Sequence, residues 1–252
     1  MNESSLHLLA TWTEIGLAVG AFVLLLFVAA PYGRHDRKGW GPVIPNAAGW
    51  VIMESPAVLL FGVIYTLGDH AFEVVPLVLG SMWMFHYIQR TFVFPLRVRT
   101  TGKHMPLVIV AMAFVFNVLN AYVIARWLSH LGVYSLDWLW DPRFLIGGAI
   151  FIVGFAVNHH ADDVLINLRK PGETGYRVPH GWLFDHIASP NYLGEMVEWI
   201  GFAIALWSLP GLAFALFTAA NVVPRASSNL KWYRETFPGY PADRKALIPH
   251  VW

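Results

Sequence analysis

Apolar residues run through this chain in blocks far longer than a soluble core needs, and polar residues collect in the gaps between them. Mostly apolar stretches fall at about 6–30, 47–67, 72–95, 105–127, 143–165, 190–208 and 210–224. A membrane-crossing helix needs roughly 20 such residues. The pattern therefore predicts an all-α polytopic membrane protein with seven transmembrane helices. The fifth run turns polar at its end, and Leu209-Pro210-Gly211 reads as a tight turn between the sixth and seventh. No interval between runs is long enough for a soluble domain, so residues 1–252 read as one domain. Its first four spans are apolar with isolated polar intruders, and its last three are polar at their ends. Segment 166–189, rich in Gly, Pro and basic residues, is predicted to be irregular, which confines it to water or to the protein interior.

Composition agrees. Apolar residues make up 56% of the chain and charged ones 13%, about half the charge usual in soluble domains. Lys and Arg gather in alternate loops: Arg34, Arg37 and Lys38, then Arg97, Arg99 and Lys103, then Arg169, Lys170 and Arg177, and in the tail Arg225, Lys231, Arg234, Arg244 and Lys245. Only Arg126 and Arg143 fall on the other side. The positive-inside rule places the N-terminus outside and the tail in the cytoplasm, in a bacterial inner membrane or endoplasmic reticulum. The net charge of +1 carries no nucleic-acid signal, and nothing points to an obligate protein partner. No signal peptide is expected, because Glu3 stands where a positive n-region would. The absence of cysteine excludes disulfides, thiol catalysis and Cys-ligated zinc.

Several polar residues intrude where they are expensive. Glu54 lies in the second apolar run, and a carboxylate at bilayer depth costs about 2.5–3.5 kcal/mol or more. It serves either as a structural hydrogen bond between helices or as a proton-bearing acid in a dry pocket. In the third run Tyr87 is flanked by His86 and Arg90, which are one turn apart on a helix. A Glu and a Tyr converging on one point can donate two hydrogen bonds to a carbonyl oxygen, an arrangement that stabilises enolates. His159-His160 with Asp162 and Asp163 invites a metal reading, but no second His-rich cluster completes a site, so no metal is expected. Asn158 and Asp162, four apart, share a helical face suited to a polar ligand. Lys103, Arg169, Arg177 and Arg225 fall on the same side. Each alone can be positive-inside charge; as a group they can hold phosphates. No Gly-x-Gly-x-x-Gly or Walker A pattern is present.

At these residues the chain resembles the steroid 5α-reductase family. The resemblance rests on His86-Tyr87-Ile88-Gln89-Arg90-Thr91-Phe92-Val93, on Arg169-Lys170-Pro171-Gly172-Glu173 with Tyr176-Arg177-Val178-Pro179, on Asn191-Tyr192-Leu193-Gly194-Glu195 with Glu198-Trp199-Ile200-Gly201, and on Arg244-Lys245-Ala246-Leu247-Ile248-Pro249. It runs from the second apolar run to the C-terminus. The resemblance implies a seven-helix membrane reductase that uses NADPH and acts on 3-oxo-4-ene steroids, with membrane lipid around it. By the same resemblance Glu54 and Tyr87 bind the 3-oxo group, and Phe116 and Trp199 line the steroid pocket. The implied cofactor positions are Asn158, Asp162, Arg169, Tyr176, Arg177, Asn191, Glu195, Arg225 and Tyr233. Lys103 stands where the family often has arginine, and Asn229 where it has histidine.

The chemistry follows from the enone itself. Hydrogen bonds to its oxygen make the β-carbon, C5, electrophilic toward hydride, and Glu54 and Tyr87 are aimed where the enolate charge develops. A proton then reaches C4. Two enzymatic alternatives remain open at this point: a reductase of another lipid enone or polyprenol, and an isoprenylcysteine-type methyltransferase using S-adenosylmethionine. A channel or carrier is a third class, and it has no need for Arg169, Arg177, Asn191 and Glu195 at one mouth.

Overall fold

The computed structural model describes residues 2–98, 102–169, 173 and 175–252. Arg99 and the Lys170-Pro171-Gly172 motif lie outside the described residues. The chain is mostly helical: α1 (Glu3–Phe27), α2 (Asn46–Glu54), α3 (Leu59–Thr66), α4 (Val74–Ile88), α5 (Phe94–Arg97), α6 (Leu107–Arg126), α7 (Pro142–Asn167), α8 (Pro190–Leu206) and α9 (Leu209–Thr236). Among the described residues, five segments are long and apolar enough to cross a membrane: Glu3–Phe27, Asn46–Thr66, Leu107–Leu131, Pro142–Asn167 and Leu209–Thr236. The other two apolar runs are helical but shorter. A π turn at Gln89–Val93 interrupts the third run after the 15 residues of α4, and α8 has 17 residues.

Two details depart from the sequence expectation. The fold is not purely α, because β1 (Val43–Pro45) pairs antiparallel with β2 (His104–Pro106), Ile44 opposite Met105. These three-residue strands carry too little alternation to register as a pattern. The turn between α8 and α9 also falls earlier than Leu209-Pro210-Gly211. Trp207 caps α8 in the left-handed conformation (φ 46°), and the Ser208 side chain accepts from Gly211 N at 3.2 Å. Pro210 sits in the first turn of α9, where a missing N–H is harmless.

Local chemistry sets the other boundaries. Asn2 caps α1 by accepting from Ser5 N at 2.9 Å, and Asp141 caps α7 by accepting from Arg143 N at 2.8 Å. Between α2 and α3 the chain kinks at Pro56, which has no N–H to continue the ladder. Side chains take the freed carbonyls: Ser55 Oγ donates to Ile52 O at 2.9 Å, Asn117 Nδ2 to Met53 O at 2.7 Å, and Trp83 Nε1 to Ala57 O at 2.8 Å. The kink is thus bolted to α6 and α4.

Helices α7 and α8 cross so closely that a Cβ at Gly147, Gly154, Gly194 or Gly201 collides with the facing backbone, the small-residue packing that membrane helices use. An aromatic cluster of Phe61, Trp83, Tyr87, Trp199, Phe202 and Phe214 fills the centre. α1 packs chiefly along α9. At one end Arg126 Nε meets Glu3 Oε1 at 2.6 Å. At the other the basic loops meet: Asn46 N donates to Lys103 O at 3.0 Å, Leu107 N to Pro42 O at 2.8 Å, and Ala188 N to Lys245 O at 2.8 Å.

Candidate active site

The Pro56 kink presents Glu54 at the end of α2. Its Oε2 accepts from Asn117 Nδ2 at 3.0 Å, and its backbone carbonyl accepts from Thr91 Oγ1 at 3.4 Å. Thr91 is one turn beyond Tyr87, so the two share a face of the α4–π segment. Thr91 thus ties the Glu54 backbone to the face of the helix that carries Tyr87, which forms one wall of the interior. Tyr87 is 5% exposed and packs on Trp83 and Trp199, with ring centroids at 4.5 and 5.7 Å. Trp199 is enclosed in the aromatic cluster, and Phe116 stacks on Phe217 of α9 at 3.5 Å.

Below the pair, a polar chain leads toward the basic end. His86 Nδ1 and Glu198 Oε1 lie 2.8 Å apart, both buried. Arg90 lies between the rings of Trp50 and Phe94, at 4.5 and 4.6 Å, with Nη1 3.6 Å from Asp162 Oδ2. Asn191 Nδ2 donates to Asp162 Oδ1 at 3.2 Å, and Asn158 Nδ2 donates to Asn191 O at 2.9 Å. The α7–α8 glycine contact makes these bonds possible. Glu195 lies one turn before Glu198 on α8, on the same side of the helix.

At the rim Arg225 lies over the rings of Tyr32 and Tyr192, at 5.0 and 5.1 Å. Burial pushes the Tyr32 phenol up to about 12, against the pull of Arg225. Asn229 donates to Ser189 Oγ at 3.1 Å and faces His35 Nε2 at 3.1 Å. Burial lowers the His35 pKa, partly offset by that bond. Arg34 stacks over Tyr233 at 4.7 Å, and its Nη1 is buried without a partner. Tyr32, Arg34, His35, Tyr192, Arg225 and Asn229 line a cavity of about 100 Å³.

Farther out, Lys103 Nζ donates to the exposed Tyr176 hydroxyl at 3.0 Å, Arg177 Nη2 pairs with Glu173 Oε1 at 3.0 Å, and Arg169 Nη1 donates to Gly175 O at 3.1 Å.

The structure thus gathers Asn158, Asp162, Asn191, Glu195, Arg225, Asn229 and Tyr233 around the basic end, with Lys103, Arg169, Tyr176 and Arg177 outside them. His159 and His160 diverge, the first toward Gln89 and Asp163, the second against the Trp182 ring. Sequence reasoning missed Asn117, whose signal was an amide that shares an otherwise apolar helix with Asn120. It also missed Tyr32, Arg34 and His35, which gave no signal beyond loop charge. Arg244, part of a motif, is 2% exposed and structural: it donates to Pro179 O at 2.9 Å.

The sequence profile described as 3-oxo-5-alpha-steroid 4-dehydrogenase matches residues 103–252. The chain is 43% identical to steroid 5-alpha-reductase DET2 of Gossypium hirsutum over 241 residues, covering 94% of this chain and 93% of that one. It is 44% identical to 3-oxo-5-alpha-steroid 4-dehydrogenase 1 of Bos taurus over 244 residues, covering 95% of each. It is 39% identical to the protein of the same description from Homo sapiens over 254 residues, 97% of this chain and 96% of that one. The chain belongs to the steroid 5α-reductase family and is an oxidoreductase.

Proposed function

We propose that the protein reduces the 4,5 double bond of 3-oxo-4-ene steroids to 5α-dihydrosteroids with NADPH. The observation that carries this reading is the tie of the Glu54 backbone to Thr91, one turn from Tyr87, with Asn117 holding the Glu54 carboxyl, and at the basic end an arginine-bearing cavity. Glu54 in its acid form and Tyr87 each have an O–H to donate to the 3-oxo oxygen, where negative charge develops. Asn117 and Thr91 hold Glu54 in place, and the rings of Trp83, Trp199 and Phe214 exclude water and so strengthen those bonds.

The residues present fit the cofactor. The unpartnered Arg34 Nη1 and the Arg225 guanidinium border a space large enough for a phosphate. Arg169, Tyr176, Arg177 and Lys103 would extend that grip. Asn158, Asp162, Asn191 and Glu195 would take ribose hydroxyls or the carboxamide, beside Asn229 and Tyr233. When bound, NADPH supplies the hydride that reaches C5.

The same reading treats the chain as one integral membrane domain of seven spans, with the Val74–Arg97 and Pro190–Leu206 rods completing the five longer ones. The N-terminus is outside, and the basic end, with the cofactor site, faces the cytoplasm. Phe116 and Trp199 flank the steroid. The test is NADPH oxidation by purified protein in detergent, with and without a 4-ene-3-one steroid. Steroid-dependent oxidation giving a 5α product is expected. Oxidation independent of steroid, or none, removes the reading.

A further inference from the structure

α1 carries a polar stripe that the reaction above does not use. His7, Thr11, Glu14 and Ala18 are its buried residues, spaced so as to share one face. His7 Nε2 lies 2.8 Å from Val123 O of α6, and Thr11 Oγ1 donates to His7 O at 2.9 Å. Glu14 is 0% exposed, yet neither carboxylate oxygen has a partner. On α6 Asn120 is also 0% exposed, and neither its Oδ1 nor its Nδ2 is bonded. Buried polar groups in folded proteins are hydrogen-bonded with few exceptions. Here four such atoms are left over on two facing helices.

The helix register brings them together. Glu3 meets Arg126 and His7 meets Val123, so α1 and α6 run antiparallel. Continuing that register sets Glu14 opposite Phe116, with Asn120 one turn away, about 6 Å along the axis. Side chains lean toward the N-terminus of their own helix. In an antiparallel pair Glu14 and Asn120 therefore lean toward each other, which closes much of that offset. They stop short of bonding directly. By that register the Phe116–Phe217 stack stands at the level of Glu14, and the Tyr87 phenol lies within electrostatic reach of the Glu14 carboxyl.

We propose that Glu14 and Asn120 form a second hydrogen-bonding station in the substrate cavity, one that receives a hydroxyl group of the steroid remote from its enone. A carboxylic acid and a primary amide each offer a donor and an acceptor, and a hydroxyl requires both. A station built for a hydroxyl discriminates against the analogue that lacks it, because its own groups are then left unpaired. The inference rests on the reductase reading. An interior water has the same chemistry as the hydroxyl and is the competing occupant.

The experiment uses pairs of 4-ene-3-one steroids that differ only by a hydroxyl on ring C, ring D or the side chain. For each pair kcat/KM is measured for the wild type and for Glu14→Leu, Glu14→Gln and Asn120→Leu. Thermal unfolding and NADPH binding report folding, and Glu14→Gln keeps the shape if Glu14→Leu does not fold. In at least one pair the hydroxylated-to-unsubstituted ratio is expected to fall about tenfold in Glu14→Leu and Asn120→Leu, and less in Glu14→Gln. Ratios unchanged across the whole panel, the result expected of a station that holds only water, overturn the proposal. A wild type that binds NADPH yet is inert on every steroid overturns the reductase reading, and this inference with it.

Discussion

The wall around Glu54 and the rim around Arg177 position polar groups in opposite ways. On the wall and just below it, each group is tied to a different helix: Glu54 to Asn117 of α6 and Thr91 of the π turn, and His86 of α4 to Glu198 of α8. None can move without moving a helix. At the rim, Lys103, Tyr176, Glu173 and Arg177 satisfy one another in water, and an exposed pair contributes only about 0.2–1 kcal/mol. The interior groups are preset by these ties, whereas the rim pairs are weak enough to be exchanged. Breaking the two regions one residue at a time sharpens this contrast.

The largest effect is expected from the buried pair. Replacing His86 with Leu leaves the enclosed Glu198 carboxyl without its 2.8 Å partner. Removing one member of such a pair costs about 3–5 kcal/mol, read as a large drop in the thermal midpoint in detergent. A midpoint within a degree of wild type would show that the pair does not hold α4 to α8. Next is Glu54→Gln. It preserves the Asn117 contact in shape but exchanges the acidic O–H for an amide N–H, a weaker donor to a developing oxyanion, so the fall in kcat should approach the roughly 10²–10³-fold of a donor removed outright. NADPH binding should persist. Near-normal turnover would exclude the acid from the reaction.

At the rim, Arg177→Ala should leave the thermal midpoint almost unchanged. The expected change is a several-fold rise in the KM for NADPH, smaller at high salt because exposed charges are screened beyond about 8–10 Å. A fall in kcat with an unchanged KM would mean that Arg177 acts on the wall rather than at the entrance.

The two regions also differed in how well the sequence announced them. Interior polar residues are costly among apolar neighbours, so Glu54 and Tyr87 stood out, as did the i,i+4 face of Asn158 and Asp162. The helical rods were legible for the same reason, to within a few residues at α1, α6 and α7. The connections among them were not. Nothing local predicts that the Pro56 kink would be bolted by Asn117 and Trp83, or that Gly154 and Gly194 meet, because both depend on residues distant in sequence. The missed strands Val43–Pro45 and His104–Pro106 are stabilised by pairing across the chain. Arg34 reads as ordinary loop charge and His35 carries no signal at all; only the fold carries them to Tyr233 and Asn229.

His35 gives the smallest predicted effect and the finest test of where the rim ends. Its Nε2 faces Asn229 Oδ1 at 3.1 Å, and burial holds its pKa below the ordinary 6.5. In the window between the lowered value and 6.5 the unfolded chain binds more protons than the folded one, so stability rises with pH there. The contribution is fully present above pH 6.5 and is lost as pH falls through the folded value. Without cofactor, the wild-type thermal midpoint should therefore drop between pH 7.5 and 5.5 by more than that of His35→Gln, which can still donate to Asn229 but does not titrate. An exposed rim residue would show no such difference. Parallel slopes would place His35 with the loosely held Arg177 pair, and a steeper wild-type slope would place the Tyr32–His35 segment with the preset interior.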